Sequence, residues 1–179
     1  MKKFCRTGLG IALVLTLIGA MAQPSQARMQ TDQASAKTEV KTEKGAVMHA
    51  SGPFDVKLVP QPADEKANDP LLGRMSIDKH YHGELEATGV GQMLTGGDYK
   101  TGSAGYVAME KVTGTLHGHT GSFLMQHSGM LTRGAQQLSI TIIPDSGTGP
   151  LTGIAGKMEV KITDGKHLYE LEYTLPEAK

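Results

Sequence analysis

Apolar and polar residues alternate along most of the chain between residues 48 and 175. A period of two is typical of β-strands with one buried face, because successive side chains point to opposite faces of a sheet. The most regular run lies between Met75 and Ala87, where one parity is apolar except for Lys79 and the other is polar. We expect the polar parity to face solvent, and Gly83 to bend or divide the run.

Residues 103–133 predict a long β-hairpin that turns at Gly118-His119. A glycine at the first central position favours a two-residue type II′ turn, which fixes the register of the two arms. The predicted pairs are His117–Thr120, Gly114–Phe123, Val112–Met125, Glu110–His127 and Tyr106–Leu131. The inner face of this hairpin would therefore carry a carboxylate directly opposite an imidazole.

A second hairpin is predicted at Asp164-Gly165, a strong signal for a type I′ turn. Pairing Thr163 with Lys166 would set Ile162, Val160 and Met158 opposite His167, Tyr169 and Leu171. A further strand is predicted at residues 138–142, followed by a glycine-rich segment at 144–156 that winds back to the sheet. The glycines at 89, 91, 96 and 97 are interpreted as a loop leading into the central hairpin.

The chain between residues 48 and 179 shows no convincing helical period. About eight strands with short connections predict an all-β fold, a single antiparallel eight-stranded barrel. Closure into a barrel also removes exposed sheet edges. A sandwich of two sheets is the alternative.

The first 27 residues have the pattern of a signal peptide. A basic start is followed by an apolar run at residues 8–21 and by small residues ending at Ala22 and Ala27. We expect cleavage after Ala27, with Ala22 as the other site, and export to the periplasm or the medium; an uncleaved membrane anchor is the alternative. Residues 28–47 are polar and predict a disordered tether, so the barrel domain would span 48–179.

Charge and cysteine content exclude some classes of function. The chain has 18 basic and 18 acidic residues, and removal of residues 1–27 takes away three basic ones, leaving a charge of −3. Such a domain has no electrostatic basis for binding nucleic acid. The one cysteine, Cys5, lies in the predicted signal peptide, so the barrel can form no disulfide and no thiolate metal site. We expect a monomer or weak homo-oligomer, without stable membrane insertion after cleavage.

The predicted inner face carries the candidate chemistry. Glu110, His127 and Lys79 are the candidate catalytic residues, since a carboxylate tuned by an imidazole and an ammonium group can act as a base. An eight-stranded barrel can be filled by its side chains or hold one small ligand. The candidate ligand-binding residues are Tyr81, Tyr106, Phe123, Met125, His167, Tyr169 and Tyr173.

These residues favour a binder of a small, mostly apolar molecule that uses no cofactor. One alternative is a cofactor-independent isomerase or cyclase in which Glu110 and His127 act on the substrate. The other is a structural or interaction module of the cell envelope, in which the same charges form a satisfied internal ion pair.

Two His-x-His pairs, at residues 80 and 82 and at 117 and 119, raise the question of a metal. Metal sites need three or four ligands with supporting partners, and His80 and His82 fall on the predicted outer face. We therefore predict no metal. The glycine-rich segment at 144–156 lacks the lysine and the following helix of a phosphate-binding loop.

Three stretches of the sequence resemble a known family: GRMSIDKHYHGELEATG, SAGYVAMEKVTGTLHGHTGSFLMQHSG, and PDSGTGPLTGIAGKMEVKI continued by DGKHLYELEYTL. They are similar to a bacterial domain-of-unknown-function family placed among the allene oxide cyclase-like β-barrels. A wider likeness to dirigent proteins and plant allene oxide cyclases rests on the glycines at 147, 149, 153 and 156. The resemblance spans about residues 50–175. It implies a barrel but no activity, and no catalytic residue is carried over from it.

Overall fold

A computed structural model describes residues 45–177 as eight β-strands and three short 3-10 turns. The predicted signal peptide, residues 1–27, and nearly all of the predicted tether, residues 28–47, lie outside the described residues. The strands are β1 Met48–Gln61, β2 Leu72–Tyr81, β3 Leu85–Asp98, β4 Ser103–Leu116, β5 His119–Thr132, β6 Ala135–Ile142, β7 Ala155–Thr163 and β8 Lys166–Thr174.

The eight strands form one closed antiparallel barrel. Each strand pairs with the next along the chain, and β8 closes the barrel against β1 between Met48↔Tyr173 and Phe54↔His167. The predicted all-β, eight-stranded antiparallel barrel is therefore confirmed, and the two-sheet sandwich is excluded. Within residues 45–177, no helix is long and apolar enough to cross a membrane.

The central hairpin turns one residue earlier than predicted, at His117-Gly118. Both residues have positive φ, 46° and 82°, as a type I′ turn requires. The register is therefore shifted by two residues: Glu110 pairs with Met125, and Ala108 with His127. A shift of two keeps every side chain on its face, so Glu110 and His127 still point inward although they are not directly opposed.

The turn position has a visible cause in the side chain of His117. Its Nδ1 lies 2.8 Å from the hydroxyl of Tyr173 on β8, which offsets the unfavourable positive φ of a non-glycine residue. The predicted type II′ turn took account of Gly118 alone. The sequence pattern of the hairpin contains no sign of a partner 56 residues away.

The last hairpin has the predicted register. Thr163 pairs with Lys166, Val160 with Tyr169 and Met158 with Leu171. The turn residues Asp164 and Gly165 have φ values of 51° and 74°, as expected for type I′. Gly83 also divides the run of residues 75–87 as predicted, with a φ of 97° between the end of β2 and the start of β3.

The predicted loop at residues 89–97 is wrong, because β3 continues through all four glycines. Two of them, Gly89 and Gly91, stand where neighbouring strands leave no room for a side chain. A Cβ on Gly89 would overlap Oε1 of Glu110, and one on Gly91 would overlap the backbone carbonyl of Met109. Glycine here permits close approach inside a regular strand, as it commonly does.

The barrel is packed at one end and hollow at the other. At the packed end, the segment between β6 and β7 folds over the opening and buries Leu151 and Ile154, each 1% exposed. These two pack in one apolar cluster with Leu85, Leu116 and Phe123. The remaining inward side chains form a smaller cluster and the walls of a cavity.

Candidate functional site

A cavity of about 600 Å³ occupies the hollow half of the barrel. Its walls are mainly apolar and come from all eight strands, with His127 as the contribution of β5. The lining residues are Phe54, Val56, Leu58, Met75, Ile77, Lys79, Met93, Thr95, Tyr99, Tyr106, His127, Leu138, Ile140, Val160 and His167. Leu58, Tyr99 and Leu138 are 44%, 55% and 45% exposed, and they mark the mouth of the cavity.

A buried polar cluster lies at the inner end of the cavity. Nζ of Lys79 donates a hydrogen bond to Oε2 of Glu110 at 2.7 Å and another to the hydroxyl of Tyr81 at 3.2 Å. The Tyr81 hydroxyl in turn donates to Oε1 of Glu110 at 2.8 Å. Both carboxylate oxygens therefore accept hydrogen bonds, as a buried charge requires.

His127 completes the cluster from β5. Its Nε2 lies 3.0 Å from Oε2 of Glu110, close enough for an ion pair when the ring is protonated. The nitrogen is not aligned for a hydrogen bond, and Nε2 has no hydrogen-bond partner among the described residues. The residue is 96% buried, but it still forms part of the cavity wall. His127 is thus a buried polar group whose bonding is incomplete.

The electrostatics of the cluster favour an ionised Glu110. Burial alone would raise the pKa of this carboxyl, but the nearby His127 ring and the Lys79 ammonium group outweigh burial and lower it. The pKa of Tyr81 is raised well above its usual range, first by burial and then by the adjacent Glu110 charge. Tyr81 therefore stays a hydrogen-bond donor to the carboxylate.

Three neighbouring strands, β2, β3 and β4, bring Lys79, Tyr81 and Glu110 together. Lys79 and Tyr81 alternate along β2 and so share its inner face, while Glu110 projects inward from β4. Gly89 of β3 lies between them, paired with Lys79 on one side and Val112 on the other. Because Gly89 has no side chain, the Glu110 carboxylate can reach across β3 to Lys79 and Tyr81.

Lys79 and His127 belong to the cavity wall, whereas Glu110 does not. Glu110 is completely buried, so a molecule in the cavity would touch Lys79 and His127 before the carboxylate. Among the predicted ligand-binding residues, Tyr106 and His167 line the cavity. Tyr81 belongs to the polar cluster.

The other four predicted ligand-binding residues, Phe123, Met125, Tyr169 and Tyr173, do not line the cavity. They lie in the packed half, each at most 1% exposed. The hydroxyl of Tyr169 accepts a hydrogen bond from the Leu85 amide at 2.8 Å and donates to the His82 carbonyl at 3.1 Å. These side chains face inward as predicted, but strand parity does not tell how deep along the barrel a residue lies.

Several cavity residues were not among the predicted ones. Phe54 places its ring 5.2 Å from Nζ of Lys79 and also 5.2 Å from the ring of His167. The alternation of apolar and polar residues in β1 could have predicted that Phe54 faces inward. Met93 and Thr95 lie among the glycines that were interpreted as a loop, and Tyr99 belongs to a 3-10 turn without any period.

The paired histidines lie at the surface. The side chain of His82 is 49% exposed, and its ring nitrogens lie 3.6 Å from Asp55 and 3.7 Å from Glu86. His80 is similarly exposed, 3.8 Å from Asp78. In the part of the chain that the structure describes, no group of three or more His, Cys, Asp or Glu residues is placed to hold a metal ion.

Fold and site together define a class: an eight-stranded antiparallel barrel with an apolar cavity above a buried Lys–Glu–Tyr–His cluster. The chain belongs to the family described as protein of unknown function (DUF3224), whose model matches residues 50–173. This confirms the predicted membership in a domain-of-unknown-function family.

One solved structure is similar to this chain in fold as well as in sequence. It is the crystal structure of a DUF3224 protein of unknown function from Shewanella oneidensis MR-1, 43% identical to this chain with a TM-score of 0.68. The match covers 75% of this chain and 100% of that one. No curated protein matches the chain. The family and its solved member thus share the barrel and bring no assigned activity.

Proposed function

We propose that the barrel binds a small, mostly apolar molecule in its interior. The observation that carries this proposal is the cavity, which is open at one end, apolar along its walls and polar at its inner end. Its volume of about 600 Å³ falls among those of small-molecule sites, roughly 300–1,000 Å³. At about 30 Å³ per water, it has room for about 20 waters or a molecule of comparable size.

An isomerase or cyclase that uses Glu110 as its base is the weaker proposal. A general base must come within hydrogen-bond reach of the proton that it removes. Glu110 lies behind Lys79 and His127, and both of its oxygens accept hydrogen bonds within the cluster. The geometry therefore supports a binding protein better than an enzyme based on the Glu110–His127 pair.

A cavity-filling variant tests the proposal. N-phenyl-1-naphthylamine, a neutral apolar dye that fluoresces in apolar surroundings, should bind the full chain with a rise in emission. Val160→Trp, which fills the cavity from β7, should weaken binding by about tenfold or more, as expected when bulk is added to an apolar site. Val90→Trp is the matched control, because Val90 is 55% exposed on the outer face of β3.

Two results would contradict the proposal. The first is the absence of saturable dye binding to the unmodified protein, and the second is equal weakening of dye binding by Val160→Trp and Val90→Trp. For the identity of the natural ligand, native mass spectrometry of protein purified from its own host is the direct measurement. A retained mass that Val160→Trp lacks would give the ligand.

The cellular setting is also part of the proposal. We infer from residues 1–27 that the barrel is exported to the periplasm or the medium, as a monomer or a weak homo-oligomer. N-terminal sequencing of the exported protein tests the first point, and sedimentation tests the second. The placement among allene oxide cyclase-like barrels is likewise inferred from the family resemblance of the three sequence stretches, and superposition on a plant allene oxide cyclase tests it.

A further inference from the structure

At the inner end of the cavity, some hydrogen-bond donors have no partner among the described residues, whereas the acceptors already accept hydrogen bonds. A lysine ammonium group has three donors, and Lys79 directs two of them to Glu110 and Tyr81. One donor of Lys79 is left, at a residue that lines the cavity. His127 adds a ring whose Nε2 forms no aligned hydrogen bond with any residue in 45–177. The Glu110 oxygens accept bonds inside the cluster and face no open space.

Donors at the end of an apolar tube select one kind of ligand. An apolar body would lie along Phe54, Ile77 and Val160, and its terminal group would meet Lys79 and His127. That terminal group must accept hydrogen bonds, because a buried donor left unsatisfied costs free energy. We propose that the ligand is an amphiphile with a carboxylate head group, bound against Lys79 and His127. This inference rests on the proposed function, since it names the ligand class of the same cavity.

The charges of the buried cluster favour a ligand with a carboxylate over one with a neutral oxygen, and they make the binding of the carboxylate depend on pH. Lys79 and Glu110 neutralise each other, so a carboxylate beside them is balanced only when His127 carries a proton. The ionisable groups that face His127 are Glu110 on β4 and Lys79 and Tyr81 on β2; Tyr106 and His167 share its cavity. Binding of a carboxylate should therefore take up a proton, whereas binding of an alcohol should not.

Matched probes separate the head group from the chain. Decanoic acid and decan-1-ol have the same apolar chain, and each can be titrated against the bound naphthylamine dye in the full chain. We expect decanoate to displace the dye at concentrations about tenfold or more below those of decanol, as a charge-assisted hydrogen bond implies. Lowering the pH from about 8 to about 6 should tighten decanoate binding and leave decanol binding unchanged.

Two variants remove the donors one at a time. His127→Gln keeps the Lys79–Glu110 pair and should abolish the pH dependence of decanoate binding. Lys79→Met should cancel the preference for decanoate over decanol. The matched controls are His80→Gln and Lys111→Met, which make the same changes at exposed outer positions of β2 and β4.

The possible failures are distinguishable. If the dye binds and decanol displaces it as well as decanoate does at both pH values, the head-group inference is wrong and the proposed function stands. If decanoate is preferred but His127→Gln keeps the pH dependence, His127 is not the linked proton and the inference fails in that part. If neither the dye nor either decyl compound binds, the proposed function itself fails.

Discussion

At the scale of single residues, the unusual feature is a carboxylate with no exposure to water in a barrel half filled by aromatic and aliphatic side chains. Glu110 can remain ionised there because Lys79, Tyr81 and His127 lie within 3.0 Å of its oxygens. Replacing a buried ion pair by apolar residues often stabilises a protein, so such a pair is weak evidence of a role in stability. A cluster that reaches the cavity wall is better explained by what it can bind.

The pKa of Glu110 leads to a prediction about acid stability. Since the carboxyl has a lower pKa in the folded protein than the ordinary 4.5, its ionised form stabilises the fold at pH above 4.5. That contribution is lost as the pH falls through the folded-state pKa. Glu110→Gln should therefore reduce the fall in the free energy of unfolding below pH 4.5, measured by urea unfolding at a series of pH values.

The control for that series is Glu159→Gln, which makes the same change at an exposed position of β7. It should leave the acid limb of the stability curve as it is in the unmodified protein. An equally steep acid limb in Glu110→Gln would mean that Glu110 is not held ionised by the cluster. The assignment of Lys79 and His127 as its charge partners would then be wrong.

At the scale of strands, period-two alternation was enough to predict the barrel and the inward direction of Glu110, His127 and Lys79. It could not predict which residues share a level along the barrel axis. Phe123 and Tyr106 lie on the same inner face of their hairpin, yet Phe123 packs in the core and Tyr106 lines the cavity. That difference arises from the segment between β6 and β7, which closes one end and has no alternation of its own.

The glycines of β3 also show what the sequence pattern alone cannot predict. Glycine usually weakens a strand, so a run containing four of them predicts a loop. In the folded barrel two of them occupy positions that the neighbouring strands crowd: Gly89 below the Glu110 carboxylate and Gly91 against the backbone of β4. Such crowding is a property of the closed sheet. It exists only once β2 and β4 are in register with β3.

Gly89 provides a prediction at this scale. A methyl group there would overlap the Glu110 carboxylate and press on the Tyr81 ring, so the buried cluster must shift. Gly89→Ala should lower the free energy of unfolding by about 1–3 kcal/mol, the usual cost of overpacking. It should also weaken binding of the naphthylamine dye, because Lys79 moves with Glu110. Chemical unfolding and dye titration measure the two effects.

Gly96→Ala is the matched control on the same strand. A Cβ at Gly96 has no neighbour closer than 3.9 Å, so the methyl group is accommodated without a shift. This variant should unfold within about 0.5 kcal/mol of the unmodified protein, as surface changes usually do. Equal stabilities for the two variants would show that Gly89 is not needed to make room for Glu110.

At the scale of the whole molecule, the barrel wall is uneven. β7 pairs with β8 along its full length, from Ala155↔Thr174 to Thr163↔Lys166. Its register with β6, by contrast, consists of Ile140↔Met158 and Thr141↔Lys157 among the described residues. Beyond these pairs the two strands diverge beside the cavity, where Leu138 and Val160 line the wall. The seam between β6 and β7 is therefore the weakest part of the barrel and adjoins the proposed binding site.

Hydrogen exchange should report this seam. Amides that point from β7 residues 159–163 towards β6 lack a ladder partner among the described residues, so they should exchange much faster than amides of the β4–β5 ladder. That ladder is paired from Ala104↔Leu131 to Leu116↔His119.

Saturation with the naphthylamine dye should slow exchange in residues 135–140 and 159–163, because a bound molecule packs against Leu138 and Val160 from inside. The β4–β5 amides serve as the internal reference and should not change. Equal protection of the β6–β7 and β4–β5 amides without dye would contradict a weak seam. Uniform slowing of exchange throughout the barrel would mean that the dye stabilises the fold without using this wall of the cavity.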